Sequence, residues 1–165
     1  MTIVQSETVA TGITRIAINR PEKRNAVSPE VRDALIDTFS NALNDEDVQA
    51  IVLGSTDGHF CAGGDIDTMV EMDVSSGRTR MKENHRMVRL LAEAEKPIVA
   101  AVEGYAVGAG AGIALLCDSI VITKGGTLGF PFFRIGLTPD YGILFTLARR
   151  VGQSKARQIL LYAEM

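Results

Sequence analysis

At 165 residues, 46% of them hydrophobic, the chain is long enough to close one core and too short for two comfortable domains. A formal net charge of −3, with basic residues scattered apart from "RPEKR" and "ARR", argues against nucleic acid or an anionic membrane as a partner. No apolar run approaches a membrane span, "MTIVQSETVATG" lacks a leader pattern, and Cys61 and Cys117 have neither metal-ligand spacing nor disulfide density, so the expectation is a soluble, cytoplasmic protein with free thiols and no metal.

In chain order, "TGITRIAINR" sets Ile13, Ile16 and Ile18 among polar neighbours and predicts a strand that ends at Pro21. A loop, "RPEKRNAVS", follows. Ser28 before Pro29 and Glu30 predicts a helix start, and Val31, Leu35, Phe39 and Leu43 recur along one face. "QAIVLGS" reads as a buried strand leading into the glycine loop "DGHFCAGGDI". A charged helix is expected from about Arg78 to Glu95, with Met81, His85, Val88, Leu91 and Ala92 on its apolar face, ended by Pro97. The strand "IVAAV", a Gly/Ala turn, the helix "GIALLC", the strand "SIVIT", the extended "TLGF" and helices from about Pro139 and Ser154 complete the chain. This alternation predicts α/β layers with largely parallel pairing.

Two loops resemble each other. "CAGGD" follows the strand Ile51–Leu53, and "GAGAG" follows the strand Ile98–Val102. If those strands are neighbours, both turns open at one sheet edge, where two backbone N–H groups can converge on a carbonyl oxygen and bind it better as it becomes negative. A pyrophosphate cradle is the competitor, but neither loop carries a dinucleotide or P-loop fingerprint.

"NRPEKRNAVS", "HFCAGGDI", "KPIVAAVEGYAVGAGAGIALLCDSIVI" and "FRIGLTPDYG", in that order, resemble the crotonase (enoyl-CoA hydratase/isomerase) superfamily over essentially the whole chain. The resemblance implies a spiral of ββα units and an acyl-CoA thioester whose carbonyl lies between the N–H groups of Gly64 and Ala109. Coenzyme A then enters as part of the substrate, with no separate cofactor. It also implies that Lys23 or Arg24 lies near the CoA phosphates, with Ala26, Ala62, Asp65 and Ile66 beside the adenine end. A solvated charge run remains the other reading of Lys23 and Arg24.

Departures from the family pattern shape the expected chemistry. Hydratases of the family activate water with two glutamates, and those positions are Gly112 and Phe132 here, which disfavours simple hydration. Phe130, Phe132 and Phe133 suggest an apolar wall for the acyl group. Asp140 in "GLTPDYG" is expected in the first turn of a helix capped by Thr138. Such an aspartate needs no catalytic role, but related isomerases carry an acid/base aspartate there, so the resemblance implies an isomerase that shifts a proton through an enolate. A rival reading, from 4-chlorobenzoyl-CoA dehalogenase, pairs Asp140 as nucleophile with His85 as base, although that enzyme's tryptophan has no counterpart in this chain. His59, Glu103 and Asp118 read as structural.

A third reading is an inactive acyl-CoA-binding or scaffold protein. The family normally continues past "SKARQILLYAEM" through helices that close the pocket and build a trimer, so residues 1–165 are expected to form the N-terminal core domain of that fold. Ile159, Leu160, Leu161 and Tyr162 are expected to pack against another copy or a further segment, in a homotrimer or two stacked trimers.

Overall fold

The computed structural model describes residues 2–163. Its main sheet has five strands, β1 (Val4–Ala10), β2 (Ile13–Ile18), β3 (Ala50–Ser55), β4 (Ile98–Val102) and β6 (Ser119–Ile122), in that spatial order. Only β1 and β2 run antiparallel; β2, β3, β4 and β6 pair in parallel. A small second sheet pairs β5 (Tyr105–Val107) with β7 (Thr127–Gly129), also in parallel. Five α-helices connect and flank these strands: α1 (Pro29–Asn44), α2 (Val74–Ala92), α3 (Ala109–Leu116), α4 (Ile143–Val151) and α5 (Gln153–Tyr162). The α/β architecture with a mostly parallel sheet is the one expected from the alternation of patterns.

The core forms where the parallel strands meet α1 and α2. Ile16, Ile18, Ile51, Leu53 and Ile98 from the sheet pack with Leu35, Phe39 and Met87 from the helices. Helix α1 starts as its sequence dictates: the Ser28 hydroxyl accepts from the Val31 N–H, and Pro29 occupies the first turn. A second cluster, with Leu115, Phe130, Ile143, Leu147 and Leu160, ties α4 and α5 to α3.

Four boundaries differ from the sequence reading. Strand β1 has no strand signal in its sequence, whose polar residues show no alternation; only Val4 of it is buried, and its pairing with β2 makes it a strand. Helix α2 starts earlier, at Val74, where the Asp73 carboxylate accepts from the Ser76 N–H. Its buried residues are Asn84, Met87 and Leu91, and His85 faces solvent. Helix α3 starts within the Gly/Ala turn, at Ala109.

The fourth difference concerns Asp140. Tyr141 (φ 49°) and Gly142 (φ 73°) both adopt left-handed backbone, so α4 begins at Ile143 and Asp140 lies in the preceding turn. At the same end of the molecule Leu144, Phe145, Leu161 and Tyr162 are exposed, the last at 71%. Leu160 is buried, so the expected outward-facing set on α5 narrows to Leu161 and Tyr162 with Ile159 half-buried. Among the described residues no helix is long and apolar enough to cross a membrane.

Candidate active site

Strands β3 and β4 are parallel neighbours, so the loops that leave them meet. Cys61 joins the first loop to β5: its N–H donates to Tyr105 O at 3.1 Å, and Val107 N–H donates to Cys61 O at 2.9 Å. Burial pushes the Cys61 thiol up to about 12, which keeps it protonated. Gly63 follows with φ 109°; a Cβ there would lie 3.0 Å from Val107 O and 3.9 Å from Ala109 N. The two loops therefore approach so closely that residue 63 has no room for a side chain.

The neighbours of Gly64 are committed to the first loop. Gly63 O accepts from Val27 N–H at 2.7 Å, and Asp65 N–H donates to Val27 O at 3.0 Å. That leaves the Gly64 N–H between them outside this pairing. Ala109 is the first residue of α3, whose opening N–H groups have no partner within the helix. Both residues line a cavity of about 540 Å³. Met69, Met72, Met81, Phe132, Ile135 and Leu137 wall it, and Arg80, Asn84 and Asp140 bring polar groups into it. Two backbone donors and one carboxyl in an apolar cavity can hold an anionic oxygen and move a proton beside it.

Burial pushes the Asp140 carboxyl above the ordinary aspartate value. The hydrogen bond from Asn84 opposes this, followed by the nearby charge of Arg80. Asn84 Nδ2 donates to Asp140 Oδ2 at 3.4 Å, while Asn84 Oδ1 accepts from Tyr141 Oη at 3.3 Å and from Arg32 Nη1 at 3.4 Å. Asp140 precedes α4 instead of lying in its first turn, and its carbonyl accepts from Ile143 N–H at 3.1 Å.

Of the residues expected around the acyl group, Phe132 lines the cavity and four others lie elsewhere. Phe130 is buried in the second cluster and does not line the cavity. Phe133 is 47% exposed, turned outward by the short helix Phe132–Ile135. Gly112 is inside α3, where a Cβ would lie 2.5 Å from Tyr141 Cβ. His85 is on the exposed face of α2, one residue past Asn84.

The residues expected near coenzyme A come together between the first loop and the "CAGGD" loop. Lys23 is exposed, with its Nζ 2.7 Å from Asp67 Oδ2. Arg24 takes left-handed backbone, φ 50°, and its carbonyl accepts from Ala62 N–H at 3.0 Å. Ala26 is buried, and Asp65 is buried and paired with Arg20 at 2.6 Å. Ala62 and Ile66 line the cavity. His59 stacks on Tyr105 with ring centroids 4.0 Å apart beyond the C-terminal end of β4, and at that strand's other end Asp118 accepts from Ile98 N–H at 2.8 Å.

The sequence reading missed Arg20, Arg32, Arg80, Asn84 and Tyr141. For α2 a signal was present: Arg80, Asn84, Met87 and Leu91 share a helical stripe, and a polar pair continuing an apolar stripe marks a lined cavity.

A family model described as enoyl-CoA hydratase/isomerase matches residues 8–165. A short-chain-enoyl-CoA hydratase of Clostridium acetobutylicum is 34% identical over 150 residues, covering 90% of this chain and 58% of that protein. A 2,3-dehydroadipyl-CoA hydratase of Escherichia coli is 33% identical over 149 residues, with the same coverage, 90% and 58%. The crystal structure of an enoyl-CoA hydratase from Thermoplasma volcanium superposes with a TM-score of 0.93 at 26% identity, covering 98% of this chain and 64% of that one. The chain thus spans 58% of the length of these curated relatives.

Proposed function

Because the chain belongs to the enoyl-CoA hydratase/isomerase family, we propose that it binds an acyl-CoA thioester and moves a double bond by way of an enolate. The observation that carries this reading is that Asp140 opens into the same cavity as Gly64 and Ala109. The thioester oxygen accepts from the N–H groups of Gly64 and Ala109. The Asp140 carboxylate takes a proton from the carbon α or γ to the carbonyl, and the electron pair moves into the thioester as an enolate. The same carboxyl returns the proton to the other carbon, which completes an isomerisation. Phe132 and the methionine walls keep water away from the enolate.

In this reading Lys23 and Arg24 meet the CoA phosphates, while Ala26, Ala62, Asp65 and Ile66 shape the adenine side. The Lys23–Asp67 pair is exposed, so phosphate can replace the aspartate at little cost. Steady-state kinetics and calorimetry on Asp140→Asn test the assignment: turnover should vanish while acyl-CoA affinity stays within a few-fold.

A second reading, hydration, has in its favour the printed names of the relatives, which are hydratases. Against it stand the two positions from which the resembled hydratases activate water: Gly112, packed on Tyr141, and Phe132. Incubation with crotonyl-CoA separates the two, since hydration yields a 3-hydroxyacyl product and isomerisation does not. The dehalogenase reading has less support, because His85 is exposed on α2 and does not line the cavity.

A further inference from the structure

Arg80 stands out in the wall of the cavity. Its neighbours there, Met69, Met72, Met81 and Phe132, are apolar. Its Nη1 donates to Thr68 Oγ1 at 3.0 Å, and its Nη2 lies 3.7 Å from the position a Cβ on Gly64 would take. Among the described residues it has no carboxylate within ion-pairing distance. Of the acidic groups around it, Asp65 pairs with Arg20 and Glu83 with Arg86, while Asp67, held by Lys23, and Glu71 line an open cleft on the other side of Arg80. Asp140 feels the charge of Arg80 but takes its hydrogen bond from Asn84, so the guanidinium keeps no carboxylate of its own in the cavity.

An acyl group that fills this space drives water off the side of the guanidinium that faces the cavity, while its other side stays open to the neighbouring cleft. A plain hydrocarbon chain offers nothing in exchange, so binding it leaves a cation partly desolvated without an acceptor. A carboxylate offers two oxygens in the geometry that a guanidinium matches best. We infer that the acyl group taken by this site carries its own carboxylate and that Arg80 recognises it. The guanidinium lies against Gly64, a donor assigned to the thioester oxygen, so the carboxylate is only a few bonds from the thioester. A short dicarboxylic acyl group fits this requirement, and a long unsubstituted tail does not. Thr68 holds one edge of the guanidinium and leaves Nη2 directed at the cavity side.

The inference rests on the acyl-CoA reading, and calorimetry with two thioesters tests them separately. Glutaryl-CoA is butyryl-CoA with a terminal carboxylate in place of one methyl hydrogen. The wild-type protein should bind glutaryl-CoA about tenfold or more tightly than butyryl-CoA, as expected for a charge-assisted pair. Arg80→Met should abolish the preference by weakening glutaryl-CoA, with butyryl-CoA bound as well as before or better; Arg80→Gln serves if the methionine variant does not fold. Equal wild-type affinities, or a variant that weakens both thioesters by one factor, would overturn the role of Arg80 and leave acyl-CoA binding standing. Binding of neither thioester would overturn the acyl-CoA reading and this inference with it.

Discussion

Helix α3 touches the Asp140 turn at Gly112, where a Cβ would fall 2.5 Å from the Cβ of Tyr141 and 3.1 Å from Ile143 Cγ1. Tyr141 is in turn fixed from its other end, because its hydroxyl donates to Asn84 Oδ1 at 3.3 Å. The missing side chain at 112 is therefore a packing requirement that sets where Asp140 stands.

Gly112→Ala should destabilise the protein by about 1–3 kcal/mol, since overpacking outweighs the gain in helix propensity. Gly112→Glu should do worse and should not create hydratase activity, because the new carboxylate has no space on the cavity side. Denaturant unfolding and a crotonyl-CoA hydration assay check both. A stable, hydrating Gly112→Glu variant would mean that Tyr141 yields easily.

Ala109→Pro removes one of the two assigned donors at the helix position where proline is best tolerated. Thermal stability should change little, while thioester turnover falls at least about a hundredfold, as when one oxyanion donor is lost. Gly64→Ala is the companion variant. A Cβ there meets the flexible end of Met69 at 2.9 Å and Arg80 Nη2 at an ordinary 3.7 Å, and the variant keeps the N–H, so turnover should largely survive.

The pH profile carries the sign of the Asp140 environment. As a base Asp140 works ionised, so kcat/KM should rise with pH through its folded pKa. Burial raises that value, placing the acid limb above the ordinary aspartate range. The bond from Asn84 lowers the value, so Asn84→Leu should move the limb to higher pH. The same variant leaves the Arg32 and Tyr141 donors without an acceptor, at a stability cost of about 1–3 kcal/mol. A limb that does not move would detach Asp140 from the observed profile.

Leu144, Phe145, Leu161 and Tyr162 form an exposed apolar group on α4 and α5. We propose that other copies cover it in a trimer or two stacked trimers. Light scattering should show a mass above the monomer, and Phe145→Glu with Leu161→Glu should lower it. A monomer at high concentration would contradict the proposal.

The sequence was most legible where backbone chemistry dictates residue type. The Gly/Ala loops after β3 and β4 could be located because close approach excludes side chains, and Ser28–Pro29 marked the start of α1 because capping is local. Thr138–Pro139–Asp140 reads as a helix start, but the left-handed Tyr141 and Gly142 delay α4 and leave Asp140 in a turn. His85 and Asn84 exchanged places for a different reason. Apolar periodicity cannot rank a histidine against an asparagine on neighbouring helix faces, and the packing of Arg32 and Tyr141 against Asn84 decides which turns inward. The helical stripe of Arg80, Asn84, Met87 and Leu91 marks Arg80 as inward-facing, but its place beside Gly64 and Thr68 depends on contacts that only the folded chain makes.

The most direct measurement of the central claim is solvent-deuterium incorporation into a 3-enoyl-CoA and its 2-enoyl product, followed by mass spectrometry in heavy water. The wild-type protein should label carbons α or γ to the thioester as the double bond moves, and Asp140→Asn should label neither while still binding the thioester. Undiminished labelling by Asp140→Asn would contradict the assignment of Asp140 as the acid/base, and a wild-type protein that binds the thioester without labelling it would contradict the enolate chemistry itself.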